Sequence, residues 1–149
     1  MMNMEMAADY LRRSLSLLSE ARAALERGDA PICVRRSQEA IEMAAKALLR
    51  AISIEYPRRH DVSDALLAHS DRMPEPIRGE IGEIASLVSE LAAVRGPAMY
   101  GMEAEGIPAS RLFSPGYASE VLERVDRAVR LVEGVLRPRL EELGLWGGG

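Results

Sequence analysis

The chain has 149 residues, 48% of them apolar, and a formal net charge of −4. That is enough for one domain with a real core and too apolar for a disordered segment. The negative balance excludes a protein that coats nucleic acid by charge alone, while a local basic patch stays open. Lys46 is the only lysine, and Asn3, Gln38 and Cys33 are also single. We read this as a bias of genome or growth temperature. One cysteine excludes an internal disulfide and a cysteine metal cluster, and Cys33 reads as a small buried apolar residue. Met1 to Ala8 carries no charged leader followed by an apolar run, and no stretch reaches the roughly 18 consecutive apolar residues of a membrane span. A soluble, cytoplasmic protein is expected.

Strand patterns are nearly missing, and helical periodicity appears four times. The first helix is expected over about Met4 to Arg27, with Ala7, Tyr10, Ser14, Leu17, Leu18, Ala21 and Leu25 on one face and Gly28 as its stop. The second runs from about Ala30 to Ile54. Asp29 caps it, Pro31 fits its first turn, and Pro57 ends it. Its stripe is apolar-to-small, from Ser37 and Ala40 to Ala51 and Ile52. Glu39, Glu42, Lys46 and Arg50 leave the other side charged, with Glu42 and Lys46 in the favourable i, i+4 order.

Residues 57–75 form a connector with one short helix over Ala65, Leu66 and Leu67, capped by Asp61 or Ser63. The third long helix covers about Glu75 to Arg95. Eighteen residues separate Ile77 from Arg95, five whole turns at about 100° per residue, so an unbroken helix places Arg95 along the apolar seam. Gly96 and Pro97 break or kink the chain there. Residues 101–116 read as a loop, a length more often functional or poorly ordered than idle. The last helix covers about Pro115 to Leu136, capped by Ser114. Pro138 kinks or ends it, and a coda follows through Leu143. Residues 1–143 are expected to form a single all-α domain, an antiparallel bundle of four long helices and one short one. Residues 144–149, including Trp146, are expected to be a flexible tail.

The stretch APICVRRSQEAIEMAAKALLRAISIEYPRRHDVSDALL, residues 30–67, resembles the core of HEPN domains, named for higher eukaryotes and prokaryotes nucleotide-binding. Glu39, Ala40, Glu42, Lys46, Ala47, Leu48 and Leu49 match a Glu-Ala-x-Glu-x-x-x-Lys-Ala-Leu type pattern. Tyr56, Pro57, His60, Asp61, Leu66 and Leu67 fill the turn and short helix that follow it. VRGPAMYG, residues 94–101, falls on the family's arginine motif.

The resemblance implies a bundle that dimerises side by side. It also implies a role in binding nucleotide or RNA, or a place beside a small nucleotidyltransferase in a toxin–antitoxin-like or defence setting. Many family members are metal-independent ribonucleases that pair a motif arginine with a histidine; this chain has Tyr100 in the histidine's place. A tyrosine near its usual pKa of about 10 is a poor general base. The reading preferred on this resemblance is therefore a homodimeric accessory binder. A ribonuclease using Arg95 with Tyr100, and an interaction module without ligand, are the alternatives.

Arg95 and Tyr100 are the candidate catalytic pair. Together with His60, Arg58 and Arg59 they are also the candidate nucleotide contacts. For His60 the competing role is to help Asp61 cap the short helix; for Arg95 it is a plain ion pair. Arg12–Arg13, Arg35–Arg36 and Arg58–Arg59 read as solvated basic doublets or as parts of an anion patch. Glu39 and Glu42 lack further ligands at useful spacing, so no metal or cofactor is expected.

Overall fold

A computed structural model describes residues 1–147. Among these residues seven helices follow one another: α1 (Met2–Glu26), α2 (Ala30–Ala51), α3 (Ser63–Ala68), α4 (Ile77–Ala93), α5 (Arg95–Tyr100), α6 (Ala109–Leu112) and α7 (Pro115–Glu142). Four are long, and among the described residues there is no strand, only an isolated bridge between Met102 and Ile107. The fold is an all-α bundle.

Helix α2 is central and touches each of the other six helices. Its packing follows from alanine: Ala40, Ala44 and Ala47 are fully buried, as are Ala7, Ala21 and Ala24 on α1. Side chains this small let helix backbones approach closely. Ser14 Oγ donates to the Ala40 carbonyl at 2.7 Å, and Asn3 lies opposite Ser53, so α1 and α2 run antiparallel. Arg124 on α7 reaches both Glu83 and Glu90, and Arg127 reaches Glu80, so α4 and α7 are antiparallel as well. Leu18, Leu48, Leu87, Leu91 and Val129 fill the space between the helices.

Both ends of the first hairpin close through backbone chemistry. After α1, Gly28 takes φ +84° and the Asp29 amide donates to the Ala24 carbonyl at 2.9 Å. That is a glycine stop of the kind the sequence predicts. After α2, Ser53 takes the same role at φ 59°, with the Ile54 amide on the Leu49 carbonyl at 2.9 Å. So α2 ends at Ala51, several residues before Pro57, which is not what stops it.

Two expectations change at the C-terminus. Helix α7 runs through Pro138 to Glu142. Proline costs one intrahelical hydrogen bond, but Leu136 and Leu140 on either side are buried and hold the last turns to the core. Trp146 is not frayed: the Arg12 guanidinium lies 4.7 Å from its ring centroid and that of Arg137 5.9 Å, and Arg12 Nη2 donates to the Leu145 carbonyl. Residues 148–149 of the expected tail lie outside the described residues.

The 101–116 segment holds a 3₁₀ turn at Glu103–Glu105 and the short helix α6. Gly101 is its hinge point, at φ +69° and ψ −156°, a region essentially closed to other residues. A Cβ there would sit 2.3 Å from the Ile107 carbonyl oxygen. Replacing Gly101 with alanine is therefore expected to cost about 1–3 kcal/mol, read as a lower midpoint in urea unfolding. A midpoint equal to wild type would show that the segment yields freely.

Candidate functional site

The site grows from a carboxylate in the middle of α2. Glu42 is 5% exposed. Its Oε1 accepts from Gln38 Nε2 at 2.9 Å, its Oε2 from Lys46 Nζ at 2.8 Å, and His60 Nδ1 lies 3.0 Å from Oε1. The i, i+4 spacing that read as an outward-facing pair is thus partly buried, because the connector folds back over this face of α2. The contact is a hydrogen bond to the carboxylate when the ring carries its proton on Nδ1, and Nε2 has no partner among the described residues. His60 does not cap α3, whose N-cap position is Val62 with no side-chain cap bond; Asp61, one residue earlier, accepts from the Ser63 amide at 2.9 Å.

Asp61 follows in the same connector, near Ser89 of α4. Its burial works to raise the carboxyl pKa. Hydrogen bonds from the Ser63 hydroxyl and amide and the Ser89 hydroxyl, with the charge of Arg59, outweigh that and hold it below its usual value. Adjacent residues thus fasten the connector to two different helices.

Arg95 does not extend α4. That helix ends at Ala93, Val94 makes a turn, and Arg95 begins α5, where Gly96 and Pro97 fall in a first turn that tolerates them. The seam drawn from Ile77 therefore stops short of Arg95. What positions this residue is Arg35, itself buried, whose Nη1 donates to the Arg95 carbonyl at 2.7 Å. The Arg35–Arg36 doublet is thus not a solvated face: Arg36 pairs with Glu39 at 2.6 Å and approaches Glu20 at 3.6 Å.

Arg95 and His60 line one cleft of about 410 Å³ between α1, α2, α5 and the connector. Leu17 and Met43 give it an apolar wall, and Glu39 and Glu42 stand in it with their oxygens already engaged. Arg13 is tied to Asp9, and Arg12 to the C-terminal segment. Arg95 differs. Its Nε is buried with no hydrogen-bond partner, and its guanidinium makes no ion pair among the described residues. A buried donor of this kind is costly unless something satisfies it.

Tyr100 lies elsewhere. Five positions along α5 turn it about 140° away from Arg95. It is 68% exposed and lines a shallow groove with Gly96, Pro97, Gly101 and Glu103. Arg58 and Arg59 are exposed on the far side of His60. The structure thus joins Arg95 to His60 and separates both from Tyr100. Glu42, Gln38 and Arg35 complete the arrangement, although the sequence offered Glu42 only as half of an i, i+4 pair and Arg35 only as part of a basic doublet.

The fold and the cleft together define a helical bundle in which an unpaired arginine and a carboxylate-held histidine line one cleft. A family model described as HEPN domain matches residues 7–135, and the chain belongs to the HEPN domain family, a nucleotide- and RNA-binding family. Neither the curated proteins nor the solved structures compared with the chain gave a match. No helix among the described residues is long and apolar enough to cross a membrane.

Two stability measurements test this geometry. Glu42→Ala strips a buried carboxylate from Lys46, Gln38 and His60, and urea unfolding is expected to show a loss of about 3 kcal/mol. A loss near zero would mean that the network holds nothing. A carboxylate with a depressed folded pKa adds stability that is complete above its unfolded value and disappears as pH falls through the folded value. The advantage of wild type over Asp61→Asn is therefore expected at neutral pH and to shrink below about pH 4. An advantage that grew on acidification would contradict the hydrogen bonding described.

Proposed function

We propose that this protein binds the phosphate of a nucleotide or RNA in the cleft between Arg95 and His60. The observation that carries the proposal is the unpaired Arg95 guanidinium, with its buried Nε lacking a partner. A phosphate oxygen supplies what that group lacks, and a guanidinium forks onto phosphate with two parallel hydrogen bonds. The apolar wall of Leu17 and Met43 suits the flat face of a base.

In this reading the protein is an accessory binder. It acts as a homodimer that meets its copy near the exposed Tyr100 and Met102, and its partner in a toxin–antitoxin-like or defence setting is a small nucleotidyltransferase. Dimerisation is common in the family. Sedimentation across a concentration series is expected to give a dimer; a monomer at every concentration would remove that part.

One observation favours a second reading, metal-independent cleavage of RNA. The Glu42 carboxylate engages only Nδ1 of His60, and that residue lines the cleft that holds Arg95. An imidazole so placed can take the proton of a ribose 2′-hydroxyl while the guanidinium stabilises charge on the phosphorus oxygens. In this form of the reading His60, not Tyr100, partners Arg95. Cleavage that stops in both Arg95→Ala and His60→Ala, and that spares RNA blocked at the 2′ position, would establish it.

For binding itself, fluorescence anisotropy with a labelled short RNA is the test. Arg95→Ala is expected to weaken binding at least about tenfold, the equivalent of about 1.4 kcal/mol, and Arg95→Lys to recover only part of it. Tyr100→Phe is expected to stay within about twofold of wild type. Unchanged affinity in Arg95→Ala would overturn the proposal.

A further inference from the structure

A second concavity opens on the other side of His60. Lys46 and Arg50 from α2, Arg58 and Arg59 from the connector, and Tyr10 and Tyr56 enclose about 560 Å³, with His60 as the shared wall. No carboxylate lines it. In a chain of net charge −4, four cations converging on one hollow stand against the overall balance.

The four cations are held differently. Lys46 pairs with Glu42 at 2.8 Å. Arg50 donates to the Tyr56 hydroxyl at 3.3 Å and to Asn3 Oδ1 at 3.2 Å, and its guanidinium lies 5.5 Å from the Tyr56 ring centroid. These contacts brace the back wall. Arg58 and Arg59 are exposed at the mouth, and neither forms an ion pair among the described residues. Neither side chain donates a hydrogen bond among the described residues, and the charge of Arg59 acts on Asp61 only from beyond ion-pair distance.

We infer that this hollow is a second phosphate subsite, continuous with the Arg95 cleft, and that the ligand is a single-stranded oligonucleotide whose backbone crosses His60. The inference rests on the proposed phosphate role of Arg95 and narrows its ligand. A mononucleotide satisfies Arg95 alone. A strand with consecutive phosphates satisfies Arg95 on one side of the imidazole and Arg58 with Arg59 on the other. Tyr10 and Tyr56 in the second hollow offer aromatic surface to a base, the combination of basic track and ring that single-strand sites use. Lone mononucleotide recognition leaves the second hollow without a ligand.

The test compares adenosine 5′-monophosphate with a single-stranded RNA length series from dimer to hexamer, at several salt concentrations, on three proteins: wild type, Arg95→Ala and Arg58→Ala/Arg59→Ala. The arginines are exposed, so thermal unfolding of the double variant is expected to match wild type. Affinity is expected to rise with length, and the double variant to lose about tenfold or more on the hexamer while binding the mononucleotide within about twofold of wild type. Its salt slope on the hexamer is expected to fall by about 1.4, the share of two phosphate contacts on a single strand.

Affinity independent of length, or a double variant equal to wild type on the hexamer, overturns the second subsite. If Arg95→Ala still abolishes mononucleotide binding in that case, the cleft reading survives alone. Hexamer binding that depends on Arg58 and Arg59 but not on Arg95 overturns the path across His60 and also the proposed role of Arg95.

Discussion

A carboxylate buried on α2 sets the geometry around it. Glu42 is 5% exposed, and taking a charge that far from water is tolerable only if partners surround it. Gln38 and Lys46 come from its own helix, one turn to either side; His60 comes from 18 residues along the chain. The first two form as soon as α2 forms. The third requires the connector to lie back against α2, so satisfying the charge and placing the imidazole are the same event. Asp61, next in sequence, fastens the connector to the first residue of α3 and lies near Ser89 of α4. A segment with no regular structure over residues 54–59 is thereby held at its far end by two neighbouring side chains.

The other half of the cleft is made by breaking a helix. An uninterrupted α4 would have aimed Arg95 along the core. The turn at Val94 restarts the helix, and Arg35 fixes the new start by donating to the Arg95 carbonyl. The result is a guanidinium backed by buried structure and open on one side, a preorganised donor whose ordering is completed during folding. Beyond His60, Arg58 and Arg59 carry charge at the mouth of a hollow whose rear is locked by Tyr56, Arg50 and Lys46.

Much of the fold was legible because helix periodicity is a local signal. The stripes of α1, α2, α4 and α7, the stop at Gly28 and the caps at Asp29 and Ser114 all depend on residues within a few positions of one another. Arg95 and His60 were legible as candidates, but their partnership was not. Arg95 and Tyr100 are close in sequence, and only the helical rotation of α5 sets them on different faces. Glu42 looked like half of a surface ion pair, since i, i+4 spacing says nothing about what later covers that face. Arg35 was hidden in a doublet with Arg36, although one arginine is buried and the other is not. Trp146 looked idle at the end of the chain until the fold brought Arg12 and Arg137 to its ring.

The most direct test follows the two side chains themselves. In an NMR titration with adenosine 5′-monophosphate, the Arg95 Nε–H signal and the His60 ring signals are predicted to shift together, with one saturation curve, while the Tyr100 ring stays put. Shifts gathered at Tyr100, Gly101 and Glu103, with Arg95 and His60 silent, would contradict the account.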